Sequence, residues 1–415
     1  MIILRDYQKQ VVDLAHCIIA KKKLVYIAAE TRTGKTLMAL RISDLRDSKS
    51  VLFVTKKRAI KSIKKDYKLL KPNFKLTVIN YESLHKLTTH DFDLVIIDEA
   101  HTLGAFPKAS QRTRRLQAIC INKPIIFLSA TPTPESFSSL YHELSISSFS
   151  PWRQYKNFYH WARDYVNIKK QFINTHNFTI YTEAKKEKVL ADFEPLRVSL
   201  TQKEAGFNFE IDEQIINCPV PDQIQKYFDD LRKNDFLIID EKEITADSPA
   251  KKKSKVHQLS SGSLITDTRE HLLISTYKAK YLDVFMRSKN IKKAIVFYKY
   301  KSELELLKGY FYPWIVTDPE VFQRCDQCDR VIFTAQYLSG REGIRLDTSD
   351  AVFFFSPDFA YLSYEQAKNR LQDLDREKTP VLYWMMGLPV DRSIMDTVKN
   401  KDDYTATHFK REFLK

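Results

Sequence analysis

The sequence predicts an α/β protein of two lobes, each built around a mainly parallel sheet. Two series of short runs rich in apolar and β-branched residues support this prediction, and each series alternates with stretches of helical pattern. Strands that are apolar at every position suit a sheet covered on both faces by helices. The length of 415 residues also exceeds what one ordinary hydrophobic core accommodates, so two or more domains are expected.

The two series of strand-like runs lie near opposite ends of the chain. The first comprises residues 24–29, 51–55, 76–79, 94–98 and 125–129, and the second comprises residues 294–298, 314–317, 331–334, 352–355 and 381–385. Residues 1–135 are therefore predicted to form the first lobe and residues 276–415 the second. Between them, residues 136–275 are helical, aromatic and polar in pattern, which predicts a helical insertion and linker.

Two features of this middle segment allow narrower predictions. Residues 247–255 (DSPAKKKSK) combine charge with a helix breaker, which favours a loop. Aromatic residues cluster between Trp152 and Trp161. We expect this cluster to form the core of the insertion, although a surface on which bases stack is the alternative.

Composition narrows the class of protein. With 43% hydrophobic and 29% charged residues, the chain resembles neither a disordered protein nor a membrane protein. No apolar run approaches the roughly 20 residues of a spanning helix. The first residues lack the extended apolar stretch of a secretion signal, so a cytoplasmic location in a bacterial or phage-infected cell is expected. The net charge of +15 favours polyanionic partners.

Residues 29–36 (AETRTGKT) join the first predicted strand to a predicted helix. A strand, a tight Gly-Lys-Thr loop and a helix together direct backbone N–H groups toward phosphate. In that geometry Lys35 would neutralise phosphate oxygens and Thr36 would ligate Mg²⁺. A chance Gly-Lys-Thr is the alternative, because Ala29 stands where the first glycine belongs. The predicted nucleotide contacts of the loop are Thr31, Arg32, Thr33, Gly34, Lys35 and Thr36.

A second chemical signal, Asp98-Glu99-Ala100-His101, ends the strand of residues 94–98. A carboxylate at the carboxyl end of a strand that faces a phosphate loop is well placed to hold Mg²⁺, and a neighbouring glutamate can deprotonate the attacking water. Asp98 is therefore predicted to hold the metal, and Glu99 is predicted to orient or deprotonate the attacking water. An acidic turn that caps a helix is the alternative for this element in isolation.

The loop and the acidic element together resemble motifs I and II of superfamily 2 helicases. The family's loop commonly reads A-x-T-G-x-G-K-T, and the chain departs from its fixed positions at Arg32. Glycine permits a positive φ that arginine adopts at a cost. Either the loop is distorted there or Arg32 adds a contact to phosphate.

Other segments of the first lobe resemble further motifs of the family, in the expected order. Residues 4–8 (LRDYQ) resemble the adenine-reading element, which implies roles for Arg5 and Gln8. Residues 51–57 resemble motif Ia, residues 79–84 resemble the DNA-facing segment after it, and residues 129–132 (SATP) resemble motif III. The resemblance implies nucleic-acid contacts by Lys56, Lys57, Arg58, Tyr81, Ser129 and Thr131.

The second lobe resembles the SNF-type translocases of the same superfamily. Residues 339–346, 350–353 and 366–370 resemble motifs V and VI, with additional matches at residues 195–197, 256–262 and Lys278. The resemblance implies that Arg370 stabilises the transferring γ-phosphoryl group and that Gly343 and Gln366 contribute to the nucleotide site. The family's second arginine is replaced by Asp373. Either Arg376 or Arg341 substitutes for it, or turnover is slow.

Two remaining features have a functional and a structural interpretation. Residues 56–71 contain eight Lys or Arg residues against the single acid Asp66, and phosphate contact is favoured over a merely solvated face because motif Ia precedes them. Cys325 and Cys328 form a lone C-x-x-C, whereas zinc requires four ligands. A metal is therefore not expected at these cysteines.

The resemblance as a whole implies two RecA-like lobes of the P-loop NTPase type that bind ATP and Mg²⁺ and move along nucleic acid. Double-stranded DNA is the expected partner, single-stranded DNA is possible, and a small phage or bacterial factor of replication, recombination or repair is expected. A strand-separating or branch-migrating helicase and an RNA-directed helicase are alternatives. A catalytically weakened DNA-binding subunit is a third, suggested by Arg32, Arg341 and Asp373.

Overall fold

The computed structural model describes residues 3–87, 91–133, 136–173, 176–207, 211–325, 330–337, 349–368 and 381–400. The chain divides into two compact units, residues 1–207 and residues 208–415. Within the described residues, each unit contains a six-stranded sheet in which every neighbouring pair is parallel. The predicted α/β fold with two parallel-sheet lobes is therefore confirmed.

The first unit is a parallel sheet flanked by helices. Its strands are β1 (Leu24–Ala29), β2 (Ser50–Thr55), β3 (Lys75–Asn80), β4 (Leu94–Asp98), β5 (Ile125–Ser129), β6 (Lys169–Ile173), β7 (His176–Ile180) and β8 (Arg197–Leu200). The order in the sheet is β3-β2-β4-β5-β1-β8, and β6 pairs with β7 as a separate antiparallel hairpin. The first five strands coincide with the runs that the sequence predicted. Most residues of β1, β2, β4 and β5 are buried, whereas β3, at the edge of the sheet, is only partly buried.

The helices of the first unit begin in different ways, and some of them have a side-chain cap or a left-handed residue before the first turn. They are α1 (Asp6–Lys22), α2 (Lys35–Leu45), α3 (Ile60–Leu70), α4 (Gln111–Ile119), α5 (Ser139–Leu144), α6 (Phe158–Tyr165) and α7 (Lys186–Phe193). Short 3-10 helices cover Lys57–Ala59, Tyr81–Lys86, Ala100–Leu103 and Glu194–Leu196. The Ser110 hydroxyl accepts from the Thr113 amide at 3.2 Å and caps α4. Gly34, with φ of 89°, precedes α2.

The aromatic cluster after residue 150 belongs to the core of the first unit. Trp152 and Trp161 are 2% and 0% exposed, and they pack in the same hydrophobic cluster as β1 and β5. The Trp152 Nε1 donates to Asp192 Oδ2 at 2.9 Å, which satisfies the buried indole. The two tryptophans thus form core and are too deeply buried to stack on bases, but the core is that of the first unit and not of a separate insertion.

The second unit repeats the architecture. Its strands are β9 (Asp212–Asn217), β10 (Phe236–Ile239), β11 (Lys242–Thr245), β12 (Ser263–Ile265), β13 (His271–Leu273), β14 (Lys293–Tyr298), β15 (Ile315–Val316), β16 (Val331–Gln336), β17 (Ala351–Phe354) and β18 (Val381–Met386). Its helices are α8 (Asp222–Asn234), α9 (Pro249–Ser260), α10 (Tyr277–Ser288), α11 (Lys301–Phe311), α12 (Pro319–Arg324), α13 (Tyr361–Lys368) and α14 (Pro389–Lys399). The order in its sheet is β15-β16-β14-β17-β18-β9. Among the helices that the structure describes, none combines the length and apolar character that crossing a membrane requires.

The segment predicted as a helical linker, residues 136–275, contains strands as well as helices. Its strand β8 pairs with β1 at the edge of the first sheet, and its strand β9 pairs with β18 at the edge of the second. The boundary between the compact units, at residues 207 and 208, falls inside it. The edge strands β8 and β9 are partly exposed and lack the continuous apolar runs by which the two predicted series were recognised, whereas the edge strand β3 keeps such a run.

Residues 247–255 were predicted as a loop, and this prediction is wrong from Pro249 onward. Ser248 caps α9 by accepting from the Lys251 amide at 3.3 Å, and Pro249 occupies the first turn. Proline is tolerated there because its missing N–H would have no partner within the helix. The proline therefore marks the start of a helix.

A buried ion pair connects two helices of the second unit. Lys278 Nζ of α10 lies 2.9 Å from Asp391 Oδ2 of α14, and both side chains are 0% exposed. The same carboxylate oxygen accepts from the Ser260 hydroxyl at 2.6 Å and from the Gly387 amide at 2.9 Å. These hydrogen bonds offset the cost of removing both charges from water.

Candidate nucleotide-binding site

Most of the predicted functional segments of the first unit follow strands of its sheet. Residues 29–36 follow β1, residues 98–101 contain the end of β4, and residues 129–132 contain the end of β5. Carboxyl ends of parallel strands meet at one edge of a sheet, where open α/β sheets bind ligands. Because β4, β5 and β1 are neighbours in this order, the loop and the acidic element share one part of that edge.

Lys35 is the first residue of α2, and its ammonium reaches back to the start of the loop. Its Nζ donates to the carbonyls of Ala29 at 2.7 Å and Glu30 at 3.0 Å. Burial lowers the pKa of Lys35, and the negative charges of Glu99 and Asp98 act in the opposite direction. The Thr33 hydroxyl also donates to the Glu30 carbonyl, at 2.7 Å. A partly buried ammonium at the start of a helix, beside two carboxylates, suits the charge of a metal-bound phosphate chain.

Arg32, where the family has glycine, adopts a left-handed backbone with φ of 64°. Gly34 does so as well, with φ of 89°. The left-handed conformation costs a residue with a Cβ about 1 kcal/mol or more, whereas glycine adopts it freely. Arg32 therefore takes up a backbone conformation suited to glycine, and the surrounding structure must compensate for the strain.

Gln8 supports the loop from α1. Its Oε1 accepts from the Arg5 amide at 3.0 Å, and its Nε2 donates to the Thr33 carbonyl at 3.0 Å. A Cβ at Gly34 would lie 2.2 Å from the Gln8 Nε2, so a larger residue there would displace the Gln8 amide. Reading an adenine edge, the role predicted for Gln8, would require its amide to exchange these partners.

Asp98 is held at the end of β4 by its neighbours. Its Oδ2 accepts from the Thr55 hydroxyl at 2.8 Å, and the Tyr81 hydroxyl donates to its backbone carbonyl. Burial and the nearby charge of Glu99 raise the pKa of Asp98 to about 6, although the Thr55 hydrogen bond and Lys35 favour the charged form. A divalent cation would relieve the repulsion between the two carboxylates.

These residues fit a magnesium nucleotide. Mg²⁺ prefers oxygen ligands, keeps several waters and is usually bound through one or two carboxylates and substrate phosphates. In the part of the chain that the structure describes, no group of three or more His, Cys, Asp or Glu side chains could enclose a metal, so a metal at Asp98 would need such outside oxygens. The hydroxyls of Thr31 and Thr131 are buried without a hydrogen-bond partner among the described residues, which leaves them available to a ligand.

A polar chain joins the acidic element to the segment after β5. Glu99 Oε2 lies 3.3 Å from His101 Nδ1, and the same nitrogen lies 2.9 Å from the Ser129 hydroxyl oxygen. That oxygen accepts from the Thr131 amide at 3.2 Å. Glu99, which is expected to deprotonate the attacking water, is thus connected with the SATP segment of residues 129–132.

The residues predicted to contact nucleic acid fall into two groups. Lys57 and Arg58 are exposed after β2, and Lys56 is partly buried near Asp98, where its charge favours the ionised carboxylate. The exposed face of α3 continues this basic surface with Lys61, Lys64, Lys65 and Lys68. Its opposite face is anchored by the buried side chain of Ile63.

The second group is buried or partly buried, and its contact with nucleic acid remains a prediction. Tyr81 is 2% exposed and Ser129 is 0% exposed. The Tyr81 hydroxyl donates to the Asp98 carbonyl, and the Ser129 hydroxyl oxygen lies 2.9 Å from His101 Nδ1. Thr131 is partly exposed, but its hydroxyl oxygen is buried. Motif position alone does not reveal burial, which depends on the packing of neighbouring segments.

Several predicted residues of the second lobe cannot be placed. Gly343 and Arg370 lie outside the described residues, as do Arg341, Asp373 and Arg376. Cys328 also lies outside them. Gln366 falls within α13, but its side chain is not described. Their roles remain predictions.

Gln202 was not recognised from the sequence. Its backbone amide donates to Glu30 Oε2 at 2.6 Å, and its Nε2 donates to the Thr31 carbonyl at 3.0 Å. The Glu30 amide in turn donates to the Leu200 carbonyl at 2.9 Å. Gln202 is 172 residues from Glu30 in the chain, so no local pattern indicates this contact. The pairing of β8 with β1 brings the two together.

Comparison with known protein families agrees with this site. Residues 42–140 match the family model of the DEAD/DEAH box helicases, and residues 1–76 match that of the type III restriction enzyme res subunit. A search of curated proteins finds no match to this chain. The two family matches support a superfamily 2 helicase and, with it, an ATP-dependent nucleic-acid motor that hydrolyses ATP.

Proposed function

We propose that this protein is a motor that couples ATP hydrolysis to movement along double-stranded DNA, in replication, recombination or repair. The observation that carries the proposal is the shared sheet edge of Lys35, Asp98 and Glu99, together with the polar chain from Glu99 through His101 to Ser129. This chain offers a physical path between the place of hydrolysis and the SATP segment after β5. The SNF-type subclass and a phage or bacterial origin are part of the proposal.

The chain's own residues divide the chemistry among them. When bound, ATP would supply the phosphoryl group and Mg²⁺ would neutralise its charge. Lys35 and Thr36 would hold the phosphates and metal, and Asp98, oriented by Thr55, would bind the metal. Glu99 would take the proton of the attacking water. From the second unit, we propose that Arg370 stabilises the charge of the transition state and that Gly343 and Gln366 complete the nucleotide site.

We propose that nucleic acid binds to the basic surface formed by Lys57, Arg58 and the exposed lysines of α3. Phosphate contacts position a protein on a duplex without reading its sequence, which suits a motor that passes over any sequence. The preference for duplex DNA over single-stranded DNA or RNA rests on the resemblance to SNF-type translocases.

Steady-state ATP hydrolysis tests the proposal. Rates are compared without polymer and with single-stranded DNA, duplex DNA and duplex RNA. We expect stimulation by duplex DNA. Lys35→Ala should lose nucleotide binding and turnover, whereas Glu99→Gln and Arg370→Ala should bind nucleotide but show turnover at least about tenfold slower, since each removes transition-state stabilisation. The exposed Lys21→Ala serves as the matched control.

The other outcomes separate the alternatives. Stronger stimulation by RNA would favour an RNA-directed helicase. No turnover with any polymer, combined with intact DNA binding, would favour a catalytically weakened subunit that needs a partner. Normal turnover by Lys35→Ala would refute the proposed phosphate loop. Strand displacement from a forked duplex then distinguishes a helicase from a translocase.

A further inference from the structure

The phosphate loop contains two left-handed residues, and a buried glutamine amide holds the carbonyl before each. Within residues 29–36, all of which are described, these residues are Arg32 and Gly34. The Thr31 carbonyl accepts from Gln202 Nε2 at 3.0 Å, and the Thr33 carbonyl accepts from Gln8 Nε2 at 3.0 Å. Gln202 and Gln8 are 5% and 6% exposed.

The position of these hydrogen bonds determines what they control. A carbonyl and the next residue's N–H belong to one planar trans peptide group and point in opposite directions. The φ angle of the following residue sets the orientation of that group relative to its Cα. By holding the Thr31 carbonyl, Gln202 therefore restrains φ of Arg32. The Arg32 N–H consequently points away from the Gln202 side chain. In a phosphate loop, backbone N–H groups must be oriented in advance toward the anion.

The two glutamines support residues of different intrinsic strain. Gly34 adopts positive φ without steric cost, whereas Arg32 has a Cβ and does not. Gln202 is itself held, because its backbone amide donates to the Glu30 carboxylate at 2.6 Å and the Glu30 amide donates to the Leu200 carbonyl at 2.9 Å. The support for the strained residue is thus built from β8 and the segment directly after it.

We propose that Gln202 is a positioning residue of the phosphate loop, which holds Arg32 in the left-handed conformation that glycine adopts unaided. Gln202 acts through the Thr31–Arg32 peptide group and does not touch the nucleotide. This inference rests on the proposed nucleotide function of the loop. It also explains how the chain keeps a usable loop despite an arginine at this position.

The test measures Gln202→Met in two backgrounds. Methionine keeps the length of the side chain but removes the amide donor, and Gln10→Met on the exposed face of α1 is the matched control. Binding of a fluorescent ATP analogue with Mg²⁺ is measured in the parent protein and in Arg32→Gly. We expect Gln202→Met to weaken binding about three- to tenfold in the parent, the range expected when one hydrogen bond is removed. In Arg32→Gly the effect should be less than about twofold, because glycine needs no such support.

A second measurement does not depend on nucleotide. Hydrogen–deuterium exchange of residues 29–36 in the nucleotide-free protein should be faster in Gln202→Met than in the parent, and the substitution should change it little in Arg32→Gly. If Gln202→Met does not fold, Gln202→Asn, whose amide is one methylene shorter, takes its place. If the parent binds no nucleotide, the proposed function fails, and the exchange measurement alone decides whether Gln202 restrains the loop.

Two results would overturn the inference. Equal weakening of binding and equal exchange changes in both backgrounds would mean that Gln202 merely supports the fold. Unchanged binding and unchanged exchange in the parent would mean that the hydrogen bond to Thr31 does not restrain the loop. In either case, nucleotide binding by the parent protein would still support the proposed function, because that binding is measured independently of Gln202.

Discussion

The buried carboxyl of Glu143 provides a quantitative prediction for the first unit. Glu143, on α5, is 0% exposed, and its Oε2 accepts from the Tyr26 hydroxyl of β1 at 2.8 Å. Burial raises the pKa of Glu143 from 4.5 to about 8, although hydrogen bonds from Tyr26 and Ser139 favour the charged form. The side chain is therefore mostly neutral in the folded protein at neutral pH and ionised in the unfolded chain.

The sign of the pH dependence follows from proton binding. Because the folded pKa is the higher one, the folded state binds more protons between pH 4.5 and about 8. The stabilisation is fully present below pH 4.5 and is lost as the pH rises through this window. Each pH unit in the window costs about 1.4 kcal/mol, so raising the pH from about 5 to about 8 should lower the free energy of unfolding by up to about 4 kcal/mol.

The substitution Glu143→Gln removes this titration and retains an acceptor for Tyr26. Native-state hydrogen exchange of peptides from β1 and β5 reads the opening of the first unit separately from that of the second. Wild type and variant should have similar stability near pH 5, and the variant should be the more stable protein near pH 8. Glu187→Gln, at an exposed site on α7, is the matched control. Parallel stability curves for wild type and Glu143→Gln would refute the reasoning.

Two further predictions concern charge. Replacing Lys61, Lys64 and Lys65 with glutamine should weaken DNA binding, which fluorescence anisotropy titrations between about 50 and 200 mM salt would measure. The slope of log affinity against log salt should decrease by about 0.9 for each phosphate that these lysines no longer neutralise. An unchanged slope would mean that the exposed face of α3 is merely solvated and does not contact phosphate. Lys278→Met should destabilise the second unit by about 3–5 kcal/mol, because Asp391 would remain buried without its cation. Adding Asp391→Asn to Lys278→Met should recover part of that stability in urea titrations. A destabilisation by Lys278→Met of less than about 1 kcal/mol would contradict the importance of the buried ion pair.

Local patterns predicted the interior strands because their physical basis is local. A strand covered on both faces must be apolar at successive positions, and β1, β2, β4 and β5 show such runs. The edge strands β8 and β9 were missed because partial exposure permits polar residues within them. Pro249 was misinterpreted for a different reason. Its effect depends on whether a helix has already begun, and Ser248 begins one there.

The site shows the same division between local and tertiary information. The glycine of the loop and the carboxylates of Asp98 and Glu99 were recognised because their chemistry depends on residue type and spacing along the chain. Tyr81 and Ser129 were assigned to the nucleic-acid surface, but both are buried. The exposure of a residue depends on which segments pack against it in the fold. The spacing of motifs along the chain carries little information about that packing.

The sequence by itself determined the parallel-sheet lobes and located the proposed phosphate loop and the acidic element, because each arises from neighbouring residues whose backbone and chemistry are constrained together. Only the tertiary structure decided which distant groups complete them. Gln202 meets Glu30 across 172 residues, and Tyr26 meets Glu143 across 117. Such pairs are created by the register of paired strands and the packing of helices, and the pKa values of buried groups follow from the same packing.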